Sequence, residues 1–366
     1  MISFVWSPHE RLPAGTGGSE NYTIGQVREL NRRGVAAQVV TVGLGEDDGR
    51  SEFDGISFLA LPSTDDLALL AGPVVFVSEA PLVPLLEPAY QILHVPPPLR
   101  ARQRAAVAEA TRDRTLIATS RFAALLWADF LDVDPPTIEV VYPFAEPVFA
   151  RVVRPRAVPG QVRVLYAGRL TPEKGIYTLL AALHSDLIEG DEQLSFTVTL
   201  AGAERPQGRI IRRLLDAHPG IEVVAARRTP AAMAALMAQF DVVVMPSNSQ
   251  YWHETFGIVS IEAQHAGCRV VASDDGGLPE TDCGGLALVA PDDAEALAAG
   301  IARAARAGPV GAAGRAAAAA EFTVAQSVDS LLAVLAQPRP VTPAAIVRQL
   351  EELVRLPSPT VAARPA

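Results

Sequence analysis

Along the first 140 residues, brief apolar runs rich in Val and Ile alternate with longer stretches whose apolar positions recur every three or four residues. The runs at 2–6, 39–42, 74–77, 91–95, 115–119 and 138–141 read as strands, and the amphipathic stretch 20–33, stopped by Gly34, reads as a helix after the first of them. Strands apolar throughout, rather than at every second position, are covered on both faces, so the pattern predicts a parallel sheet between helical layers. Periodicity lapses at 143–160, where prolines gather, as suits a linker. A second series then predicts strands at 162–166, 196–201, 221–225, 241–245, 269–272 and 286–289, with helices at 176–183, 209–217, 230–239 and 257–266. Two successive doubly wound units leave a cleft between them, and ligands of such folds sit beyond the C-terminal ends of the strands.

A length of 366 residues allows two lobes, each with its own core. The expected division is 1–150 for the first lobe, 151–325 for the second and 326–366 for C-terminal helices and a tail. An alanine-rich helix is expected at 312–320, and a helix at 324–335 is expected to pack back on the first lobe. Beyond the prolines of 338–343, the stretch 344–355 carries Ile346, Val347, Leu350, Leu353 and Val354 at helical spacing. That stripe fits docking on the protein's own surface and leaves a partner or membrane role open.

Composition narrows the classes of function. Hydrophobic residues make up 49% and charged residues 20%, as in globular proteins. The N-terminal Met-Ile-Ser-Phe-Val-Trp lacks the marks of a signal peptide, and the apolar stretch 67–77 is cut by Gly72-Pro73, short of the ~20 residues that span a bilayer. A cytoplasmic protein with at most peripheral membrane contact is expected. A net charge of −10 argues against nucleic acid as a partner. Cys268 and Cys283 are too few for a disulfide framework or a four-ligand zinc site and read as reduced, structural thiols. Basic residues are nearly all arginine, and Lys174 is the only lysine.

Three segments carry candidate chemistry. Gly15-Thr16-Gly17-Gly18-Ser19-Glu20 lies between the first strand and the first helix, where glycine lets a backbone approach phosphate. An ordinary strand-to-helix turn has the same look, and neither GxGxxG nor a well-placed acidic residue supports a nicotinamide fingerprint. In Tyr166-Ala-Gly-Arg169-Leu-Thr-Pro-Glu-Lys174-Gly175, a strand delivers two cations five residues apart on a Pro-stiffened loop. A forked guanidinium and a compact ammonium suit one diphosphate, and a surface pair of Lys174 with Glu173 is the alternative. In the stretch 246–267, Glu254 precedes a helix and Glu262 follows eight residues later. That offset is a rotation of ~80° and a rise of up to ~12 Å, so the two carboxylates can face one elongated ligand, one on a sugar and the other on a ribose. The helix N-terminus between them can face a diphosphate.

With these segments in this order the chain resembles the retaining glycosyltransferases of family four, which have the GT-B fold: two Rossmann-like, doubly wound parallel-sheet α/β domains facing each other across a cleft. The resemblance rests on the Gly17-Gly18 loop, the Arg169 and Lys174 loop, the E-x7-E pair Glu254 and Glu262 enclosing Phe256-Gly257, and Gly276-Gly277-Leu278-Pro279-Glu280. It implies that Arg169 and Lys174 hold the diphosphate of a nucleotide sugar, that Glu254 contacts the transferred sugar, and that Glu262 binds the ribose diol. Gly17, Gly18, Thr255, Phe256, Gly257 and Ile258 would complete the donor site, and His94 matches the family's active-site histidine. Retention would follow from attack of the acceptor hydroxyl on the face the diphosphate leaves, with the diphosphate taking the proton.

The resemblance implies no metal and no cofactor beyond the nucleotide sugar itself. Asp132-Val-Asp134 has the D-x-D spacing of metal-dependent transferases but reads as a loop away from the diphosphate series. The acceptor, a small molecule, lipid or polysaccharide, would meet the N-terminal lobe. There Arg100, Arg102, Arg104, Arg112 and Arg114 read as a solvated helix face, with an anionic acceptor or membrane surface as the alternative. Two departures stand out: Val224-Ala-Ala-Arg-Arg replaces a glycine turn at the base pocket, and Val141-Tyr-Pro-Phe replaces Asn-Gly-Val at the linker. A sugar-nucleotide epimerase on a similar scaffold and a non-catalytic nucleotide-sugar binder are the competing readings.

Overall fold

In a computed structural model, the structure describes residues 1–12, 17–44, 55–77, 81, 83, 85–98, 101–155, 158–250, 252–338, 347 and 351. Gly15, Thr16, Arg100, the side chain of Arg102 and all of 344–355 except Val347 and Glu351 lie outside the described residues.

The first lobe runs β1 (Ile2–Val5), α1 (Gly18–Arg32), β2 (Ala37–Val42), β3 (Ser57–Leu61), β4 (Val74–Phe76), β5 (Ala89–Leu93), α2 (Ala101–Thr111), β6 (Thr115–Ala118), α3 (Arg121–Leu131) and β7 (Ile138–Val140). After α4 (Pro147–Arg151), the second lobe runs β8 (Val162–Tyr166), α5 (Ile176–Ala182), β9 (Leu194–Thr199), α6 (Pro206–Asp216), β10 (Ile221–Val224), α7 (Pro230–Met237), β11 (Val242–Met245), α8 (Ile258–His265), β12 (Arg269–Ser273), β13 (Leu286–Val289), α9 (Ala294–Ala307) and α10 (Ala312–Ala318). The last helix is α11 (Val324–Leu335).

The described strands form two parallel sheets, of seven and six strands, in the orders β3-β2-β1-β4-β5-β6-β7 and β10-β9-β8-β11-β12-β13. Each order reverses beside its first strand, so the loops after β1 and β4, and after β8 and β11, diverge and open a crevice. The central strands are the ones the apolar runs marked. Phe4 on β1 lies between Val39 and Val75, and Val243 on β11 lies between Leu165 and Val270, all fully buried. Each such side chain contributes ~1.5 to 3 kcal/mol by leaving water.

Four elements have no counterpart in the expected series, and one of them, α4, is a short helix inside the stretch read as a linker. β3 is a half-exposed edge strand. α3 is a second amphipathic helix, capped by Ser120 and closed by Asp132 in the left-handed conformation, which gives the first aspartate of Asp132-Val-Asp134 a helix-ending role. α9 presses small residues on the second sheet, with Gly300 directly against Val271 and Val289.

The arginine cluster also needs correction. Arg114 is not on a solvated face: it is buried, with its guanidinium 3.8 Å above the Phe76 ring and 2.9 Å from the Gln91 side-chain oxygen. Burial pulls its pKa down to about 9. Arg112 pairs with Glu109, one turn away on its own helix, and Arg104 is exposed. Cys268 and Cys283 are both buried free thiols.

The chain crosses between lobes twice, and the crossings run side by side. Ala145 on the way out bridges Thr323 on the way back, and the Ala145 amide donates to the Phe322 carbonyl at 3.0 Å. A capping box of Thr323 and Gln326 then starts α11. This helix buries Val328 and Leu331 with Val27 and Leu30 of α1, and its Ser327 hydroxyl donates to the Tyr142 carbonyl at 2.8 Å. The last described helix thus belongs to the core of the first lobe.

Candidate active site

The C-terminal ends of both sheets face one cavity of about 490 Å³ between the lobes, within the range of pockets that enclose small ligands. Gly17, Gly18, His94, Arg169, Lys174, Glu254, Thr255, Phe256, Gly257, Ile258 and Glu262 all line it. Segments far apart in sequence therefore meet at one place.

The cationic loop is pinned from below. β8 ends in the fully buried Tyr166, whose hydroxyl lies 3.0 Å from the carbonyls of both Arg169 and Lys174 and so ties the two ends of the loop to one point. Pro172 opens a single 3₁₀ turn, and Gly175 reverses the chain at φ +70. A Cβ at Gly175 would sit 1.5 Å from the Pro246 carbonyl oxygen. Gly175→Ala is therefore expected to lower the melting temperature, because the Pro246 backbone must move to admit the methyl group. Calorimetry showing a wild-type melting transition would mean that the loop has room the geometry denies it.

Lys174 pairs with Glu254, not with its neighbour Glu173. The same Glu254 oxygen accepts from the Ser247 hydroxyl at 2.9 Å. Burial pushes the Glu254 carboxyl up, but the Lys174 ammonium, the Ser247 hydroxyl and the charge of Arg169 outweigh it and hold the group below the usual carboxylate range. Glu254 is an ionised carboxylate fixed in place. Arg169 is exposed, and its side chain makes no ion pair among the described residues. Among the described residues Lys174 is thus engaged by a carboxylate and Arg169 is not.

Glu262 lies in the second turn of α8, buried, with no hydrogen-bond partner among the described residues. Desolvation, and secondarily the Glu146 charge, raises its pKa to about 8. The carboxyl is neutral in the folded protein at pH 7, and its ionisation costs the folded state stability as pH climbs from the ordinary carboxylate value towards about 8. Glu262→Gln cannot ionise. Its melting temperature relative to the wild type is therefore expected to improve steadily over that window and then level off. A constant difference across the window would mean that Glu262 is already ionised at neutral pH.

His94 follows β5 and lines the first-lobe side of the cavity. Its ring meets Tyr22 edge-on at 4.9 Å, and its Nε2 is buried without a hydrogen-bond partner among the described residues. Burial pulls its pKa to about 3, so the imidazole is neutral and offers a hydrogen bond, not a charge. The Thr255 hydroxyl donates to the His94 carbonyl at 2.7 Å, which fixes Thr255 against the opposite lobe. The Phe256 ring turns away into the hinge, packed on Tyr142 and Phe322. Gly18 lies against Ile258 across the cleft.

Other residues in the cavity were not singled out from the sequence. Glu20, in the first turn of α1, has its pKa raised by burial, an effect opposed by its own backbone amide and by Arg169. Its place after two glycines was the available signal. Ser247 and Trp252 also line the cavity, as do Arg205, Arg227 and Thr229.

Residues 161–306 match the family described as Glycosyl transferases group 1. A D-inositol 3-phosphate glycosyltransferase of Corynebacterium efficiens is 28% identical over 345 residues, covering 76% of this chain and 80% of that protein. The protein of the same description from Arthrobacter sp. (strain FB24) is 35% identical over 162 residues, but the match takes in 41% of this chain and only 35% of that protein's length. Among solved structures, Anabaena HepE in complex with UDP and glucose superimposes with a TM-score of 0.68 at 18% identity, over 92% of this chain and 99% of that one. The chain has the GT-B fold. The family match falls on the GT-B lobe that carries Arg169, Lys174, Glu254 and Glu262.

Proposed function

We propose that this chain is a retaining, metal-independent glycosyltransferase that moves a hexose-type sugar from a nucleoside diphosphate to the hydroxyl of a small-molecule, lipid or polysaccharide acceptor in the cytoplasm. The observation that carries the proposal is the interlobe cavity, where two cations, a fixed carboxylate and a neutral carboxyl of the second lobe face His94 and the Gly17-Gly18 turn of the first. The family match over the second lobe, the names of the relatives and the UDP and glucose held by the Anabaena protein support it.

In this reading Arg169 and Lys174 stabilise charge building on the departing diphosphate. Glu254 and His94 orient the sugar, and Glu262 offers its carboxyl to the ribose diol. No protein nucleophile is needed, since the diphosphate takes the acceptor's proton. Closed lobes keep water from the donor.

The test is incubation with isotopically labelled UDP-, GDP- and ADP-sugars, alone and then with acceptors. Slow hydrolysis alone and transfer with an acceptor are expected, with retained anomeric configuration by NMR and undiminished rate in excess EDTA. An epimerised sugar in the absence of acceptor would replace this reading by an epimerase, and binding without turnover by a sugar-nucleotide binder. Loss in EDTA restored by manganese would refute metal independence, and an inverted product would refute retention.

A further inference from the structure

The loop Gly276-Gly277-Leu278-Pro279-Glu280 is absorbed by none of the roles above, yet it touches both lobes. One end lies directly beneath the Glu254–Thr255 backbone. The Gly277 amide donates to the Glu254 carbonyl at 2.7 Å, and a Cβ at Gly276 or Gly277 would stand 2.3 or 2.4 Å from the carbonyl oxygens of Glu254 and Thr255. The other end reaches the first lobe. The Glu280 carboxylate accepts from the amides of Arg121 and Phe122 at 2.9 and 2.8 Å and from the Tyr142 hydroxyl at 2.7 Å. Arg121 and Phe122 begin α3, whose own cap, Ser120, satisfies only the Ala123 amide at 2.9 Å. A residue of the second lobe therefore completes the cap of a helix in the first, where a carboxylate also suits the helix dipole.

The same junction carries two further bonds. The Ser120 hydroxyl donates to the Thr255 carbonyl at 2.5 Å, and the Thr255 hydroxyl donates to the His94 carbonyl at 2.7 Å. Tyr142 is the hinge residue on whose ring Phe256 packs, 5.7 Å between centroids. The segment holding Glu254 is thus gripped between a glycine loop below and the first lobe beside it, and Glu280 joins the two.

We infer that Glu280 is a positioning residue: it clasps the lobes and, through the glycine loop, sets the Glu254–Thr255 segment in register with His94. The inference rests on the proposed function for what that register accomplishes, while the clasp itself stands on the contacts of Glu280 alone. Three donors converge on one carboxylate, so opening the lobes leaves two helix amides and a hydroxyl to water. Glu280 makes the closed arrangement the resting one.

Glu280→Gln in the full chain is the test, because it keeps the shape but removes the charge and replaces one of the two accepting oxygens by a donor NH2, so that at least one of the three donors loses its acceptor. Hydrogen bonds to a charged group typically carry enough energy for kcat to fall roughly ten- to a hundred-fold. Affinity for whichever of UDP, GDP and ADP the wild type binds is expected to stay within about two-fold, since the diphosphate cations lie on the other loop. Small-angle X-ray scattering of the unliganded variant is expected to give a larger radius of gyration than the wild type. An unchanged radius overturns the clasp, and a wild-type kcat overturns the positioning role. Tyr142→Phe removes one donor only and is expected to shift both readouts the same way by less. Should Glu280→Gln fail to fold, that variant decides by the same criteria. If the wild type turns over no donor, the proposed function fails and scattering still decides the clasp.

Discussion

In Lys174→Ala, affinity for a nucleoside diphosphate is expected to drop by roughly ten- to a hundred-fold while affinity for the nucleoside stays put, the ~1.5 to 3 kcal/mol of a charge-assisted contact. A second loss is expected in the protein itself. Lys174 is the partner of Glu254, whose side chain is only 11% exposed, and removing one member of a buried pair typically costs about 3 to 5 kcal/mol. The two losses separate by pH. In the wild type, the depressed pKa of Glu254 gives stability that is present above the ordinary carboxylate value and lost as pH falls through the lower, folded-state value. Without the ammonium, burial takes over and the carboxyl is pushed up instead, so the variant is penalised most at neutral and alkaline pH. The melting-temperature gap to the wild type should therefore narrow on acidification. Adding Glu254→Gln should restore much of the stability and none of the diphosphate affinity. Equal losses of affinity for nucleoside and nucleoside diphosphate would show that Lys174 does not face the phosphates.

The fold was legible wherever burial was two-sided. Strands such as β1, β8 and β11 are apolar at nearly every position, Ser3 and Arg163 excepted, because helices cover both faces, and each run lies within a residue or two of the strand observed. The edge strand β3 carries the same signature in Phe58-Leu59-Ala60-Leu61 although it is half-exposed, so it was readable from the pattern and was passed over. α9 is harder to read. Its buried face has only two large hydrophobes, Leu297 and Ile301, and is otherwise Ala298, Gly300, Ala302 and Ala304, whose value lies in close approach and not in bulk, so the apolar stripe is thin.

In the site, the legible part was local. Glycines, paired cations and an eight-residue carboxylate offset are properties of single segments, and Arg169, Lys174, Glu254 and Glu262 could be marked from them. What sequence could not supply was pairing across segments. Lys174 and Glu254 are 80 residues apart, and Glu280 meets Arg121 at a separation of 159. The elevated pKa of Glu262 likewise comes from tertiary structure, first from burial and secondarily from the charge of Glu146 in the linker. Charge in a cleft is set by how the lobes meet.

That pairing sharpens the expectation for the two glutamates, which touch different parts of one donor in the proposed reading and should fail differently. Glu262→Ala removes the carboxyl assigned to a ribose diol that is unchanged by the reaction, so it should mainly raise the donor KM and leave kcat within a few-fold. Glu254→Ala loosens the sugar whose anomeric carbon must align with the acceptor, so it should lower kcat by about a hundred-fold or more. Binding of free nucleoside diphosphate, which has no sugar, separates them further. Glu262→Ala should weaken it. Glu254→Ala releases Lys174 from its ion pair, and the freed ammonium can meet the phosphates without first breaking a bond to Glu254. Affinity in that variant should hold at the wild-type level or tighten, even as turnover collapses. Titration calorimetry of the same nucleoside diphosphate against both variants reads this directly, and weakening in Glu254→Ala with none in Glu262→Ala would reverse the assignment of the two roles.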